Sequence, residues 1–251
     1  MADISGSTTI AATDHPYLRR HVDPVSVLGF WRHRSATVFA PVHEIGDDPG
    51  LVCLGDRDDL GVLLDLLSRT IPPPSRVSVT ADATDALPAA WQVRDWTGWT
   101  AFSTESAPDV AGADAVTTLP LRRWATAIST FLDESSPQGW GRPERDDSQW
   151  WGVLDDAGTR LLAVGAVRTG GAPSAHLSGI ATHPSARGRG LGSAVTAVLT
   201  RVGLAAGQPT VTLDAYSSNA PALRMYARLG YVVDARFRSG EVHTGIGEVR
   251  S

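Results

Sequence analysis

Apolar residues recur along the chain at two spacings, one typical of helices and one typical of strands. Intervals of three and four residues predict helices over 17–30, from Asp56 to 70, over 120–132, from Leu191 to 206 and over 219–229. Short apolar runs bounded by turn residues predict strands. These lie at 36–42, 51–54, 77–80, 91–102, 115–118, 149–154, 161–168, 176–182, 210–216, 231–237 and 241–249.

The helix that follows Asp56 has the clearest apolar face. Its leucines fall at i, i+3, i+4 and i+7, which directs one side of the helix at a core (Leu60, Leu63, Leu64, Leu67). Asp56 is expected to cap this helix, with Asp59 in a capping-box-like position three residues further on.

The segment 103–112 contains few large apolar residues and is the predicted linker. The chain is therefore expected to form a smaller N-terminal α/β domain over 1–112 and a second domain over 113–251. In the second, three successive antiparallel strands lead into a glycine-rich loop.

Charge and cysteine content narrow the class of protein. The chain of 251 residues has a formal net charge of −5, which argues against nucleic-acid binding as its main role. All 22 basic side chains are arginine, so there is no catalytic lysine. Cys53, the only cysteine, lies in an apolar run, which indicates a buried thiol and no cysteine metal site; no bound metal is expected.

The chain shows no signal-peptide pattern and no apolar stretch of membrane-spanning length, so a cytoplasmic protein is expected.

The stretch 177–193, LSGIATHPSARGRGLGS, leads from a strand through a glycine-rich loop to the start of a helix. Free N–H groups and the helix dipole attract phosphate at such a point. Arg187 and Arg189 add positive charge, and Gly188, Gly190 and Gly192 leave room for a phosphate to approach the main chain. A flexible surface turn is the alternative reading of this loop taken alone.

A second stretch, NAPALRMYARLGY over 219–231, makes the pattern more specific. Together the two stretches resemble the GNAT superfamily of acetyltransferases, in which R/Q-x-x-G-x-A/G binds acyl-coenzyme A and N-x-x-A-x-x-x-Y-x-x-x-G-F/Y lies on the next helix. The matching residues are Arg187, Gly190, Gly192, Asn219, Ala222, Tyr226, Gly230 and Tyr231. The resemblance covers the C-terminal half and implies a mixed, mostly antiparallel central sheet flanked by helices. The N-terminal half could be a degenerate relative of it, as in tandem GNAT proteins.

The resemblance also implies a binding site for acetyl-coenzyme A. The pyrophosphate would lie against the main chain of Arg187, Gly188, Arg189, Gly190, Leu191, Gly192 and Ser193. The pantetheine arm would pair like an extra strand with Ile180, Ala181 and Thr182, where a free N–H could also stabilise the developing oxyanion. Asn219 resembles the family's pantetheine-contacting asparagine, although a helix cap is an equal alternative and one side chain could do both.

Two side chains are candidates for the proton transfers. Tyr226 is the expected general acid for the departing thiolate, the alternative being a tyrosine that only packs the helix on the sheet. His176 lies two residues before Ser178, where several relatives carry glutamate; it is a candidate base or else a structural histidine. His183 is interpreted as a loop-geometry residue.

The expected function is transfer of an acetyl group from acetyl-coenzyme A to a primary amine by direct attack in a ternary complex. The acceptor, a small molecule or a peptide, is not defined, and the protein could be a monomer or a homodimer. Family members commonly contact substrate from the loop 133–147, whose Glu134, Glu144, Asp146 and Asp147 could attract a cation or simply be solvated.

Two alternatives remain open. One is an acyl-coenzyme A sensor without catalysis. The other is a dinucleotide-binding oxidoreductase domain, for which Gly188-x-Gly190 and Asp214 have suitable spacing. Ser193 at the third fingerprint position and the antiparallel strands before the loop argue against it.

Overall fold

The computed structural model describes residues 14–42, 50–144, 148–170 and 173–243. They form two compact units. Unit 1 contains the residues up to Thr100 together with Tyr216–Ser218 and those from Asp234 onward, and unit 2 contains Ala101–Ala215 and Asn219–Val233. The predicted division into an accessory domain over 1–112 and a catalytic domain over 113–251 stays a prediction.

Unit 1 is a mixed sheet with two helices. Its strand order is β1-β2-β3-β4-β11-β5. The β1–β2, β2–β3 and β4–β11 pairs are antiparallel, and β3 pairs in parallel with β4 after a crossover through α2. The elements are α1 (Pro16–His21), β1 (Val27–His33), β2 (Ala36–Pro41), β3 (Leu51–Leu54), α2 (Arg57–Ser68), β4 (Arg76–Thr80), β5 (Gln92–Thr104) and β11 (Val232–His243).

Unit 2 contains the same pairing order within a five-stranded part of the sheet. Its strand order is β10-β9-β8-β7-β6. The β6–β7, β7–β8 and β8–β9 pairs are antiparallel, and β9 pairs in parallel with β10 after a crossover through α4. The elements are β6 (Thr117–Thr118), α3 (Leu121–Ser135), β7 (Gln149–Leu154), β8 (Leu161–Arg168), β9 (Ala175–Thr182), α4 (Leu191–Ala205), β10 (Val211–Tyr216) and α5 (Ala220–Arg228). The predicted fold class, a mixed and mostly antiparallel sheet flanked by helices, is confirmed.

Helices cover both faces of the sheet in unit 2. One core contains Leu177 of β9 with Val195 and Leu199 of α4 and Tyr226 of α5. A second core contains Ala181 of β9 with Ile128 and Phe131 of α3. The core that a β9 side chain joins therefore shows which face of the sheet this side chain lies on.

The predicted helix over 17–30 is wrong in its second half. α1 ends at His21, and the chain then makes a 3-10 turn over Pro24–Ser26 before β1. Pro24 cannot donate the N–H that a continuing helix requires, and the fixed φ of proline suits the first position of the turn, which Asp23 caps through Val25 N–H. Phe30, at the end of the predicted helix, is instead buried as part of β1.

The predicted capping role of Asp59 is also wrong. Asp56 is the N-cap residue of α2, but its side chain makes no capping hydrogen bond. Asp59 instead accepts from the N–H of Ser35 at 3.2 Å and from its hydroxyl at 2.8 Å. The carboxylate therefore ties α2 to the β1–β2 turn, a contact between residues 24 positions apart.

Among the described residues, no helix has both the length and the apolar character needed to cross a membrane. Asp146 and Asp147, which were considered for attracting a cation, lie outside the described residues, as does the end of the strand predicted over 241–249.

Candidate functional site

A bulge reverses the faces of β9 just before the glycine loop. Ser178 lies opposite Ala166 and Ala181 opposite Val164, so Gly179 and Ile180 share the single partner position Gly165. Gly179 has a φ of +59°, a left-handed conformation that glycine adopts readily. Leu177 packs on the α4 side and Ala181 on the α3 side, whereas residues four apart on a regular strand share a face. The bulge therefore reverses which face of the sheet each later side chain of β9 points to.

Beyond this bulge, β9 parts from β10. Their recorded pairing runs from Ala175 opposite Val211 to Leu177 opposite Leu213, although β9 continues to Thr182. The N–H of His183 donates to Leu162 of β8 at 2.9 Å. Antiparallel hydrogen bonding alternates, so the main-chain groups of Thr182 point to the other edge, where β9 and β10 separate. This edge can pair with an extended ligand as it would with a strand.

The loop from β9 to α4 is held by local hydrogen bonds. Pro184–Ala186 form a 3-10 turn, and His183 Nδ1 accepts from the N–H of Ser185 at 3.2 Å. This contact agrees with the interpretation of His183 as a loop-geometry residue. The guanidinium of Arg187 donates to the carbonyls of Ser135 at 3.2 Å and Thr182 at 3.4 Å, joining the loop to the end of α3.

The N-terminus of α4 is open to an anion. Gly188 and Gly190 have φ values of +78° and +79°, and a Cβ on either would meet nothing within 4 Å. The first helical hydrogen bond joins Ala194 N–H to Gly190 O, so the N–H groups of Leu191, Gly192 and Ser193 precede the ladder. The first turn contains no acidic residue, and both Arg187 and Arg189 are exposed beside it.

Gly192 brings this turn close to β9 and α5. A Cβ at Gly192 would lie 3.3 Å from Thr182 Oγ1 and 3.4 Å from Met225 Sδ. The helix start, the end of β9 and α5 therefore meet at one place.

Tyr226 lies on the buried side of α5. It is 5 % exposed, and its ring packs against Phe102 and Tyr231 at centroid distances of 5.8 and 5.9 Å. No hydrogen bond to the Tyr226 hydroxyl is recorded within the described part of the chain, and burial raises the pKa of this phenol well above its ordinary value. The group is therefore protonated at neutral pH.

Two further motif residues, Asn219 and Tyr231, have clear structural roles. Asn219 is the N-cap of α5, and its side chain accepts from Ala222 N–H at 3.3 Å. Tyr231 bonds to Thr200 at 2.8 Å inside the core. The cap alternative for Asn219 is thus observed, and a contact with pantetheine stays a prediction.

His176 lies on the face of β9 opposite to Tyr226. Ala175 and Leu177 on either side of it pack with α4, so alternation directs His176 to the α3 side. Its Nδ1 lies 3.1 Å from Thr212 Oγ1 on β10. His176, the candidate base, and Tyr226, the candidate acid, therefore lie on opposite faces of the sheet near the point where β9 and β10 separate.

The loop after α3 packs directly on the bulge. A Cβ at Gly141 would lie 2.4 Å from the nitrogen of Gly179, so only glycine fits there without movement. Arg142 fixes the loop by donating to Gly141 O at 3.0 Å and contacting Asp133 at 3.5 Å. Trp140 is 60 % exposed beside this contact. Glu144 accepts from Ser129 of α3, which gives this carboxylate a structural contact.

Sequence reasoning missed Gly141 and Thr212 as site residues. Gly141 lies in the polar loop 133–147, and its role depends on a bulge whose position follows from strand register. Thr212 lies 36 positions from His176, and its alignment with that histidine requires the parallel pairing of β9 and β10.

Residues 118–231 match the model of the acetyltransferase (GNAT) family, and this range includes β7 to β10, the glycine loop and α5. These residues therefore form a GNAT-family domain, which makes the protein an acyltransferase, and the resemblance seen in the two motifs is confirmed.

Solved structures of GNAT proteins share the fold of the chain. A GCN5-related N-acetyltransferase from Sphaerobacter thermophilus is 16 % identical, with 100 % of this chain and 98 % of that chain covered and a TM-score of 0.56. An acetyltransferase of the GNAT family from Colwellia psychrerythraea is 14 % identical, with coverages of 97 % and 100 % and a TM-score of 0.55. A GCN5-related N-acetyltransferase from Kribbella flavida is 15 % identical, with 97 % of each chain covered and a TM-score of 0.52. No curated protein matches the sequence.

Proposed function

We propose that the protein is an N-acetyltransferase that moves an acetyl group from acetyl-coenzyme A to a primary amine. The observation that carries this proposal is the open start of α4 beside the edge of β9 that parts from β10, with Tyr226 on α5. The antiparallel strands before the loop and the family match make the dinucleotide-binding alternative wrong.

The main chain and two arginines provide the proposed cofactor site. The N–H groups of 191–193 suit a pyrophosphate, which the charges of Arg187 and Arg189 would further attract. The outer edge of Ile180, Ala181 and Thr182 suits an amide-containing arm. When bound there, acetyl-coenzyme A supplies a thioester whose carbonyl carbon can accept an amine.

Two side chains would move the protons in this reaction. His176 would take one proton from the incoming ammonium on the other side of the sheet, so that the neutral amine nitrogen can bond to the carbonyl carbon. As the carbon–sulfur bond breaks, the sulfur would take the phenolic proton of Tyr226. The second proton of the nitrogen would then restore the Tyr226 phenol by way of solvent. A direct attack needs both substrates present together, which agrees with acid and base on opposite faces.

The acceptor is proposed to bind beside the loop of Gly139, Trp140 and Gly141. This loop lies on the bulge of β9, on the side from which His176 would receive a proton. A primary amine of a small molecule or a peptide fits this arrangement.

Replacement of Tyr226 by phenylalanine tests the proposal. We expect kcat to fall by about 10² or more, because the thiolate then leaves without its acid, while the Kd for acetyl-coenzyme A changes little. Tyr231→Phe is the matched control, since it removes a second buried hydroxyl that bonds to Thr200. Turnover of an amine library is followed by release of free thiol.

The outcomes separate the competing functions. Binding of acetyl-coenzyme A without turnover of any amine would favour the sensor. Unchanged turnover in Tyr226→Phe would remove the acid assignment, and failure of titration calorimetry to detect acetyl-coenzyme A would refute the whole proposal.

We also propose that the N-terminal part is an accessory, degenerate GNAT-like domain. The pairings of β1 to β4 in unit 1 match those of β7 to β10 in unit 2: two antiparallel steps and then a parallel crossover through one helix. At its corresponding strand–helix junction, Asp56, Asp58 and Asp59 surround the start of α2, and these charges repel phosphate. β3 stays paired with β4 up to Cys53, its penultimate residue, whereas the pairing of β9 with β10 ends at Leu177, five residues before β9 ends.

A further inference from the structure

We propose that Thr212 is a positioning residue that fixes the tautomer of His176. This inference deepens the proposed function, because it rests on His176 as the base. It concerns which ring nitrogen carries the hydrogen, and so which nitrogen can receive a proton.

Two hydrogen bonds meet at the hydroxyl of Thr212. Thr212 Oγ1 donates to the carbonyl of Ala175 at 3.1 Å. His176 Nδ1 lies 3.1 Å from the same Oγ1. A hydroxyl has one hydrogen and a carbonyl can only accept, so the threonine hydrogen is already used. Nδ1 must therefore donate, and the lone pair of the neutral ring lies on Nε2.

The surrounding strands hold this arrangement in place. Thr212 is 2 % exposed and lies opposite His176 in the parallel register of β9 and β10. Its neighbours Val211 and Leu213 are anchored in the core on the other face, which directs Thr212 to the same face as His176. The β-branched side chain also restricts χ1.

A base with a fixed tautomer has two advantages. The nitrogen that faces away from Thr212 carries the lone pair, whereas in the other neutral tautomer it would carry the hydrogen. On accepting a proton, the ring keeps its Nδ1–H bond to Thr212, so no hydroxyl must turn during the transfer. Loss of the correct tautomer removes part of the general-base contribution, which is about 10²–10⁴ in rate.

Nitrogen NMR of the histidines in the full-length protein tests the inference directly. The chain has seven histidines, and His176→Gln assigns the resonance of interest. We expect His176 to be the Nδ1–H tautomer in the wild type and to shift toward Nε2–H in Thr212→Val. In that variant kcat should fall about tenfold or more, with an unchanged Kd for acetyl-coenzyme A, and Thr212→Ser should restore both readouts.

The possible results separate this inference from the proposed function. An Nε2–H tautomer in the wild type, or an unchanged tautomer in Thr212→Val, overturns the positioning role. If the tautomer is as expected but His176→Gln turns over normally, the base assignment is wrong and the catalytic role of Thr212 is overturned with it. If Thr212→Val fails to fold, the wild-type tautomer and the Thr212→Ser variant decide.

Discussion

Individual glycines of the site serve two different purposes. Gly188 and Gly190 have positive φ values and open surroundings, which leave space for a ligand. Gly141 instead allows one backbone to pass directly over another at Gly179. The first purpose could be predicted from the loop motif, whereas the second depends on a contact between residues 38 positions apart.

Replacement of Gly141 by alanine tests this close contact. Both groups that would collide belong to the main chain, so the loop or the bulge must move. We expect the free energy of unfolding to fall by about 1–3 kcal/mol, measured with urea. Gly170→Ala is the matched control, because a Cβ there meets nothing within 4 Å. Equal stability of the two variants would contradict the contact.

The buried tyrosines predict how stability depends on pH. Burial raises the pKa of both Tyr226 and Tyr231 in the folded state, so folding favours their neutral forms. The stabilisation is complete below the ordinary tyrosine pKa of about 10 and is lost as the pH rises above it. The free energy of unfolding should therefore decline above about pH 10. The decline should be shallower in Tyr226→Phe, and an equal slope would argue against its burial.

Whole elements could be predicted where a local pattern agreed with the tertiary structure. The leucine face of α2, the helix α3 and the strands β7 to β10 were predicted correctly because their apolar patterns are clear. The helix predicted over 17–30 was wrong because its scattered apolar residues fit two periods, and Pro24 decided between them. The two strands predicted over 231–249 are one strand up to His243, since no turn interrupts the pairing of β11 with β4.

α2 contains a glycine that its packing does not require. Gly61 lies inside the helix, and a Cβ there would meet nothing within 4 Å. Gly61→Ala should therefore raise the free energy of unfolding by about 0.5–1 kcal/mol. In α4, Gly203→Ala should do the opposite, because its Cβ would lie 2.7 Å from the Cβ of Ala175. The same sign for both variants in urea unfolding would contradict this reading.

At the scale of the whole molecule, the sequence shows one cofactor motif while the fold shows a repeated topology. The repeat could not be found from the amino-acid sequence, because the two units share a pairing order but no common sequence motif. The difference in charge at their strand–helix junctions predicts that only one of them binds acyl-coenzyme A.

Titration calorimetry of the full chain with acetyl-coenzyme A should therefore give one site per chain. The double variant Arg187→Gln, Arg189→Gln should weaken that site, because it removes both cations from the start of α4. A second site that persists in the double variant would show that the acidic junction of α2 does not exclude phosphate.

The extra residue in β9 has a consequence for evolution and engineering. Without it, positions 176 and 182 would project from the same face of the sheet; with it, they project from opposite faces. Removal of a single residue between 178 and 180 would therefore place both side chains on one face. Homologous chains should therefore tolerate substitutions in this segment far more readily than changes in its length.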